Sequence, residues 1–186
     1  MGIFSIFDTP IAGLMVIERK EIGDDRGFLA RIFCSEELKC VGWKKPIAQI
    51  NQTITKKKGT VRGMHYQNYP YAEMKLVSCL QGEVWDVAVD LRKNSPTFLN
   101  WHAEKLSAKN GRALLIPEGF AHGFQTLADD CELIYAHSAP YRRDSEGGIH
   151  PEDARLSIPW PLNFSEISTR DSGHPLLNDQ FIGFNL

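Results

Sequence analysis

The sequence lacks the features that mark a membrane protein or a nucleic-acid-binding protein. No apolar run approaches the roughly 20 residues that a membrane-spanning helix needs, and the longest runs, such as residues 113–117, have the length of a strand. Lysine and arginine number 21 against 23 aspartates and glutamates, which gives a formal net charge of -2. Because no overall positive field exists to attract a polyanion, we expect neither nucleic acid nor membrane as a partner.

Cysteine is also scarce, and its spacing points to neither metal nor disulfide chemistry. The four cysteines, Cys34, Cys40, Cys79 and Cys131, include no CxxC pair. This arrangement argues against a zinc ribbon and against the disulfide framework of a small secreted domain. The N-terminal residues lack the positively charged region with which a signal peptide begins. We therefore expect free thiols and a cytoplasmic protein.

The chain does have a regular series of strand-like segments and enough apolar material for one core. Of its 186 residues, 42% are hydrophobic and 24% are charged, as in ordinary globular domains, so we expect one domain over residues 1–186. The predicted strands are residues 29–34, 48–55, 74–80, 83–90, 99–105, 112–116, 122–127 and 131–138, and helical periodicity is evident only from Ser35 to Val41. About eight strands, separated by Gly, Pro, Asn and Asp turns, predict an all-β domain of the jelly-roll type.

The character of the sequence changes at Tyr141. From there the segments are irregular and repeatedly interrupted by proline. Such a stretch lacks the periodicity of a second sheet or a helical bundle. We expect it to wrap around the barrel and not to form a second domain.

Two segments place polar residues at fixed offsets from glycines. Residues 59–82, GTVRGMHYQNYPYAEMKLVSCLQG, contain His65, Gln67 and Glu73, and residues 111–124, GRALLIPEGFAHGF, contain His122. These segments resemble the two signature motifs of cupins, small jelly-roll barrels that commonly bind a metal, although Gln67 stands at one of the usual histidine positions. Imidazole and carboxylate are ordinary ligands of zinc, iron and copper. The residues alone therefore leave open a metal site of His65, Glu73 and His122.

A longer series of motifs is similar to one family in particular. Between about Gly23 and Asp171 the chain contains, in order, DDRGFLARIF, QINQT, VRGMHYQ, MKLVSCLQGEVWDVAVDLRKNSPTF, IPEGFAHGF, ELIYAHSAPY, SEGGI, SIPWP and ISTRD. These motifs resemble those of the dTDP-4-dehydrorhamnose 3,5-epimerases, a metal-independent branch of the cupins. The resemblance implies a cupin-type double-stranded β-helix (jelly roll) with a wrapping C-terminal segment, no cofactor, and a homodimer with strand exchange.

The resemblance also implies a reaction and the residues that perform it. The expected substrate is a nucleotide-diphospho-4-keto-6-deoxyhexose, first of all dTDP-4-dehydro-6-deoxy-D-glucose, inverted at C3, C5 or both to give dTDP-4-dehydro-L-rhamnose. The ketone acidifies both neighbouring C–H bonds, so inversion needs a base, a proton donor on the opposite face and a group that stabilises the enolate oxygen. By resemblance, His65 is the base and Asp171 hydrogen-bonds its far nitrogen. Tyr135 matches the proton donor, and Lys75 is expected near the ketone oxygen.

Further positions match the family's substrate contacts. Arg26 and Arg62 correspond to the diphosphate contacts, a role that suits guanidinium groups because they bind phosphate bidentately. In the family, Arg26 and Phe28 reach into the neighbouring subunit's site. The other expected contacts are Gln49 and Asn51 near the nucleotide and sugar, His122 near the sugar, and Tyr141 beside the base or sugar.

The sequence departs from the family pattern at two positions. Arg31 stands where the family commonly has a base-reading glutamate, which leaves open a CDP-linked sugar 3- or 5-epimerase. Residues 73–75 read Glu-Met-Lys in place of Gln-Gly-Lys or Gln-Ala-Lys, so we expect Glu73 to pair with Lys75 or another cation. Two alternatives of other classes remain: a metal-dependent cupin isomerase or dioxygenase that uses His65, Glu73 and His122, and a non-catalytic sugar-nucleotide-binding module.

Overall fold

The structure, a computed structural model, describes residues 2–185 and is built almost entirely of strands. Fourteen strands lie in this range: β1 (Phe4–Asp8), β2 (Met15–Arg19), β3 (Glu21–Asp24), β4 (Gly27–Ala30), β5 (Gln49–Thr55), β6 (Thr60–Gln67), β7 (Lys75–Gln81), β8 (Glu83–Asp90), β9 (Trp101–Ser107), β10 (Arg112–Ile116), β11 (Phe120–Thr126), β12 (Cys131–His137), β13 (Glu146–Gly148) and β14 (Glu166–Ile167). The predicted all-β class is therefore confirmed.

Two sheets face each other and form a jelly roll. The first sheet has the order β1-β2-β10-β7-β12-β5 and the second the order β13-β6-β11-β8-β9, while β14 adds to β6 in parallel. The chain crosses repeatedly between the sheets, since β7, β10 and β12 belong to the first and β8, β9 and β11 to the second. This is the double-sheet architecture that the resemblance implied. The hairpin of β3 and β4 lies outside both sheets.

Helices are few and short. They are α1 (Ser35–Leu38) and α2 (Thr169–Ser172), with 3-10 turns at Lys39–Val41 and Arg143–Ser145. The helical segment predicted from Ser35 to Val41 is confirmed as α1 followed by the first 3-10 turn. None of the helices in residues 2–185 combines the length and the apolar character needed to cross a membrane.

Apolar side chains from both sheets fill the space between them. Val77 of β7 and Leu133 of β12 share one buried cluster with Val84 of β8 and Phe124 of β11. Since side chains alternate along a strand, the neighbours of these residues face outward. This packing fixes the distance between the sheets and so the width of the cavity described below.

The first sheet is also covered on its outer face. Leu114 of β10 belongs to the cluster between the sheets, whereas its neighbour Leu115 packs with Leu38 of α1 and with Trp43. Both Leu38 and Trp43 are almost completely buried. Because β10 is buried on both faces, its sequence RALLI reads as a continuous apolar run and not as an alternation.

Most predicted strands match the structure, with one error and several omissions. Residues 83–90 and 112–116 coincide with β8 and β10, and the segments predicted around β5, β7, β9, β11 and β12 differ at their ends by one or two residues. The strand predicted for residues 29–34 is wrong beyond Ala30, where the β3–β4 hairpin ends and residues 31–34 have no strand partner. Strands β1, β2, β3, β6, β13 and β14 were not predicted.

The omission of β6 matters because this strand carries His65. Its sequence TVRGMHYQ shows no alternation of buried and exposed residues, since β11, β13 and β14 flank it and the C-terminal segment covers it. Gly63 interrupts the β-rich run, yet it is required there: its φ is +125°, and an added Cβ would lie 2.5 Å from the Cα of Gly123 on β11. A residue that looks like a strand breaker thus permits the close contact of two strands.

The C-terminal segment wraps the second sheet, as predicted. β13 and β14 both pair with β6. Trp101 Nε1 donates to the carbonyl of Leu156 at 2.9 Å, and Trp160 Nε1 donates to the carbonyl of Pro151 at 2.8 Å. The bond from Trp101 and the aromatic contact of Trp160 with Trp85 hold the irregular chain against β9 and β8, while the Trp160–Pro151 bond joins two parts of that chain. Farther along, the segment places α2 beside β6, and so brings Asp171 close to His65.

Candidate active site

A cavity of about 450 Å³ opens between the two sheets, and most of the predicted site residues line it. From the second sheet come residues of β6 and β11, and from the first sheet come residues of β5, β7 and β12. The predicted residues among them are Asn51, Arg62, His65, Lys75, His122, Tyr135, Tyr141 and Asp171. The topology therefore gathers positions that lie more than 100 residues apart in the chain, since His65 and Asp171 are separated by 106.

His65 and Asp171 form a hydrogen-bonded pair. His65 Nε2 lies 2.8 Å from Asp171 Oδ1, and the Asp171 side chain is 3% exposed. Burial by itself raises the pKa of the Asp171 carboxyl, but the bonds from His65, the Gly63 N–H and Arg170 outweigh it and hold this pKa well below its usual range. Because an ionised carboxylate only accepts, the imidazole proton lies on Nε2. The lone pair of Nδ1 is then available to act as a base.

The position of Asp171 depends on α2 and on β6. Ser168 caps α2, its Oγ accepting from the Asp171 N–H at 3.0 Å, and Gly63 N–H donates to Asp171 Oδ2 at 3.1 Å. Arg170 Nε donates to Asp171 Oδ1 at 3.2 Å. Its Nη2 lies 3.0 Å from His65 Nε2, but this contact is not a hydrogen bond because both nitrogens carry protons. The carboxylate is thus held by donors on both oxygens, so its orientation toward the imidazole is fixed.

A second histidine–aspartate pair lies next to the first. His122 on β11 is the register partner of His65 on β6, and His122 Nε2 lies 2.8 Å from Asp86 Oδ1. Both side chains are buried, at 6% and 0% exposure. Asp86 Oδ2 is buried and has no hydrogen-bond partner within residues 2–185. The second pair therefore has a buried carboxylate with only one oxygen satisfied.

Tyr135 faces these histidines from the opposite sheet. It lies on β12, is 8% exposed, and contacts the His122 ring edge-on with centroids 6.0 Å apart. Burial raises the pKa of the Tyr135 phenol well above its usual range. The phenol is consequently protonated at neutral pH and can serve as a proton donor.

Lys75 forms the predicted ion pair with Glu73. Lys75 Nζ lies 3.2 Å from Glu73 Oε1, and both side chains are about nine-tenths buried. Burial raises the pKa of the Glu73 carboxyl, but His137 and Lys75 more than offset this, so the pKa lies below its usual range. Gln67 Nε2 also donates to Glu73 Oε2 at 2.9 Å. The expectation that Glu73 pairs with a cation is confirmed.

The remaining cavity residues lie toward the opening. Arg62 Nε donates to Thr55 Oγ1 at 3.0 Å. The Tyr141 hydroxyl donates to Glu146 at 3.0 Å, and Arg170 Nη1 lies 3.1 Å from the same carboxyl group. These contacts leave cationic and aromatic groups around the mouth of the cavity, which suits a phosphorylated ligand.

The metal site considered from the sequence is not assembled. Glu73 contacts Lys75 and His137, and His122 contacts Asp86, so neither is free to join His65 around an ion. In residues 2–185, the His/Cys/Asp/Glu group with ligand atoms within 4.8 Å of one another is His65, Asp171 and His174. The guanidinium of Arg170 contacts the first two of these, and its positive charge disfavours a metal cation there.

Comparisons with known proteins agree with this arrangement. The family model described as dTDP-4-dehydrorhamnose 3,5-epimerase matches residues 8–179. The chain belongs to this epimerase family. The dTDP-4-dehydrorhamnose 3,5-epimerase of Shigella flexneri is 44% identical over 168 residues, which are 90% of this chain and 92% of that protein. The Salmonella typhimurium enzyme is 41% identical over 179 residues, covering 95% and 97%.

Solved structures of the epimerase family have the same fold. A crystal structure of the dTDP-6-deoxy-D-glucose-3,5-epimerase of Legionella pneumophila, in complex with dTDP-4-keto-L-rhamnose, superposes with a TM-score of 0.91 at 37% identity. The match covers 98% of this chain and 99% of that one. The chain is therefore similar to epimerases along nearly its whole length.

Three of the residues expected from the epimerase resemblance do not line this chain's cavity. Gln49 reaches it only indirectly, by donating to Asn51 Oδ1 at 3.0 Å. Arg26 and Phe28 lie on the β3–β4 hairpin, which pairs with neither of the two main sheets. Phe28 is 63% exposed, and Arg26 is exposed and paired with Asp24 at 2.6 Å.

Several cavity residues were not predicted. They are Thr53, Tyr66, Phe124, His137, Glu146, Ser168 and Arg170, with Asp86 buried behind His122. A signal for His137 was present, because it follows Tyr135 by two residues on a strand and so faces the same side. Asp86 is a charged residue in the middle of strand β8, between the apolar residues Trp85 and Val87, which also predicts a buried partner. For Arg170 no signal existed, since only the tertiary path of α2 brings it to the cavity.

Proposed function

We propose that this chain, acting as one domain over residues 1–186, is a metal-independent epimerase. It inverts C3, C5 or both of a dTDP-linked 4-keto-6-deoxyhexose, converting dTDP-4-dehydro-6-deoxy-D-glucose to dTDP-4-dehydro-L-rhamnose. The observation that carries the proposal is that the His65–Asp171 pair and Tyr135 lie on facing sheets of one cavity that also contains Lys75. A base and an acid on opposite sides of a sugar ring are what inversion requires.

In the proposed mechanism, the imidazole of His65 removes the proton from a carbon next to the ketone. The C–H electron pair moves into an enolate, whose oxygen is stabilised by the ammonium of Lys75. The Asp171 carboxylate stabilises the imidazolium that forms. Tyr135 then protonates the same carbon from the opposite face, and proton exchange with solvent restores His65 and Tyr135.

The substrate's diphosphate is assigned to arginines. Arg62 contributes from the chain's own cavity, and Arg26 with Phe28 is proposed to reach the cavity of a partner subunit in a strand-exchanged homodimer. The exposed hairpin supports this, because Ile22, Phe28 and Leu29 are each more than half exposed. Contiguous apolar residues on a surface are typical of an interface. Gln49, Asn51, His122 and Tyr141 are assigned to the nucleotide and sugar.

The alternatives have less support. A metal-dependent cupin enzyme would need Glu73 and His122 as ligands, yet both have other buried partners. A non-catalytic binding module would not need base, acid and enolate-stabilising groups together. A CDP-linked substrate remains the second candidate. Arg31 stands where the family commonly has a glutamate that recognises the nucleobase, and as a cation paired with Glu37 at 2.8 Å it could not take over that role. We place the activity in the cytoplasm, in the assembly of a deoxysugar.

The proposal is tested by incubating the protein with dTDP-4-keto-6-deoxyglucose in deuterated water and following the sugar protons by NMR. The CDP-linked counterpart is run in parallel. Deuterium at C3 and C5 of the dTDP sugar is expected. Exchange at one carbon, or only in the CDP sugar, would keep the mechanism and change the substrate, whereas no exchange in either would contradict the proposal. Metal analysis of the same sample, with about one tightly held ion per chain, would favour the metal cupin.

A further inference from the structure

A series of polar contacts extends inward along one wall of the cavity from Tyr141. The Tyr141 N–H donates to Gln49 Oε1 at 2.9 Å, and Gln49 Nε2 donates to Asn51 Oδ1 at 3.0 Å. Asn51 Nδ2 then lies 3.4 Å from His137 Nε2. Tyr141 is 49% exposed and His137 is 8% exposed, so the series leads from the rim to the interior.

The same series continues to the buried ion pair. His137 Nδ1 lies 3.2 Å from Glu73 Oε2, and Glu73 Oε1 lies 3.2 Å from Lys75 Nζ. The ring of His137 is stacked on Tyr135, with centroids 6.1 Å apart and planes at 21°. His137 therefore contacts residues of the proposed acid and enolate sites as well as the wall of the cavity.

The direction of these hydrogen bonds is fixed at both ends. A backbone N–H can only donate, so Gln49 must turn its oxygen to Tyr141 and its NH₂ group to Asn51. Asn51 then accepts with its oxygen and must turn its NH₂ group to His137 Nε2. At the other end His137 Nδ1 faces the ionised Glu73 Oε2 at 3.2 Å, in a contact without hydrogen-bond geometry. A lone pair on Nδ1 would repel the carboxylate at this distance, so the proton is required on Nδ1. Both ends thus demand the neutral Nδ1–H form of His137.

We propose that Glu73 and His137 are positioning residues, which connect Lys75 to Asn51 and Gln49 through one directional series of hydrogen bonds and charge contacts. Because His137 is neutral in this series, Lys75 is the cation that balances the negative charge of Glu73. Lys75 is thereby oriented as an ammonium, while Asn51 on the cavity wall and Gln49 behind it each keep a single amide orientation. The consequence for catalysis rests on the epimerase function proposed above.

The protonation of His137 is measured without turnover. In protein labelled with ¹⁵N-histidine, long-range ¹H–¹⁵N correlation spectra distinguish the two neutral forms of imidazole, and a His137→Gln variant identifies the signals. We expect the Nδ1–H form in the wild-type protein and its loss in Glu73→Ala. A wild-type Nε2–H or doubly protonated His137, or an unchanged spectrum in Glu73→Ala, would overturn the proposal.

The kinetic consequence is measured with the substrate that the wild-type protein accepts. Glu73→Ala is expected to lower the exchange rate at saturating substrate by about tenfold, because a misplaced Lys75 ammonium stabilises the transition state less well. The affinity for dTDP should change little. Glu73→Gln keeps an accepting oxygen and should recover part of the rate. A Glu73→Gln variant no better than Glu73→Ala, or a loss confined to dTDP affinity, would contradict the positioning role.

The matched control is Glu118→Ala, which removes the glutamate of the exposed Lys45–Glu118 pair (2.6 Å) outside the cavity. It should change neither the His137 spectrum nor the exchange rate, and a comparable loss in this variant would mean that the effect of Glu73→Ala is not specific. If the wild-type protein exchanges no substrate proton, the epimerase proposal fails, while the NMR comparison still decides the hydrogen-bond series.

Discussion

The two histidine–aspartate pairs have the same bond length but different surroundings. Each joins Nε2 to Oδ1 at 2.8 Å, and the histidines face each other across β6 and β11. In the first pair, His65 is 24% exposed and the carboxylate of Asp171 accepts additional hydrogen bonds on both oxygens. In the second pair, His122 is 6% exposed, and Asp86 Oδ2 accepts no hydrogen bond from the part of the chain that the structure describes.

This difference shows that the surroundings, and not the residue types, assign the roles. His65 combines a partly exposed ring with a carboxylate that is fixed by other donors, which suits a base that must gain and lose a proton. His122 is enclosed between Asp86 and Tyr135. A buried carboxylate with a single partner makes that partner important for stability. We therefore expect the second pair to support the fold and the position of Tyr135, in addition to the proposed contact of His122 with the sugar.

The largest expected effect separates the two histidines in catalysis. His65→Ala should reduce solvent deuterium incorporation by about 10³-fold or more, since it removes the general base. His122→Ala should retain measurable exchange. The readout is NMR in deuterated water, and unchanged dTDP binding shows that the site of His65→Ala is intact. Full exchange in that variant would reject His65 as the base.

The reverse order is expected for stability. His122→Ala leaves Asp86 as a buried, unpaired carboxylate and should lower the free energy of unfolding by about 3 kcal/mol. His65→Ala should cost much less, because Asp171 keeps its bonds to Gly63 and Arg170. Urea unfolding at neutral pH measures both. Equal losses would show that the two pairs contribute alike to the fold.

Replacing Asp171 should slow the exchange reaction more than replacing Asp86, just as replacing His65 should slow it more than replacing His122. Asp171→Asn keeps a polar group of similar shape but removes the charge that stabilises the imidazolium, so exchange should fall by about 10²-fold. Asp86→Asn should have a smaller effect, since its histidine is not the base. Exchange rates at saturating substrate provide the comparison. A greater loss in Asp86→Asn would reverse the assignment of the pairs.

Tyr135→Phe tests the proposed proton donor, whose ring contacts His122. Loss of the phenol should slow completed inversion by about tenfold more than it slows the initial loss of the substrate proton, because a donor acts after the base. One NMR time course records both deuterium exchange and the appearance of the inverted sugar. Equal losses of the two rates would argue against Tyr135 as the donor.

The smallest effect concerns acid stability and is specific to the first pair. The folded-state pKa of Asp171 lies below its unfolded value of 3.8. Its contribution to stability is therefore fully present above that value and is lost as the pH falls through it toward the folded-state pKa. In Asp171→Asn the free energy of unfolding should change less steeply between neutral pH and pH 3 than in the wild-type protein. Parallel curves would contradict the ionised, hydrogen-bonded state.

Much of the barrel could be predicted because short segments between turns carry their own signal. β8 and β10 were located to the residue, and α1 was found from helical spacing. β6 was missed because it is covered on several sides, so its burial does not alternate, and Gly63 interrupts it. In the site, the pairing of Glu73 with a cation was foreseen from an acidic residue two positions before a lysine. His137 and Arg170 were not.

The family, the all-β class, the chemically active residue types and the pairing of Asp171 with His65 could be expected from the sequence, because they follow from motifs and local periodicity. The second pair, Asp86 with His122, became evident only from the folded structure. Asp171 reaches His65 because the C-terminal segment wraps the second sheet, and Asp86 reaches His122 because β8 and β11 are neighbours. Such contacts join residues far apart in the chain, and their strength depends on burial and on the other donors present, which no local pattern encodes.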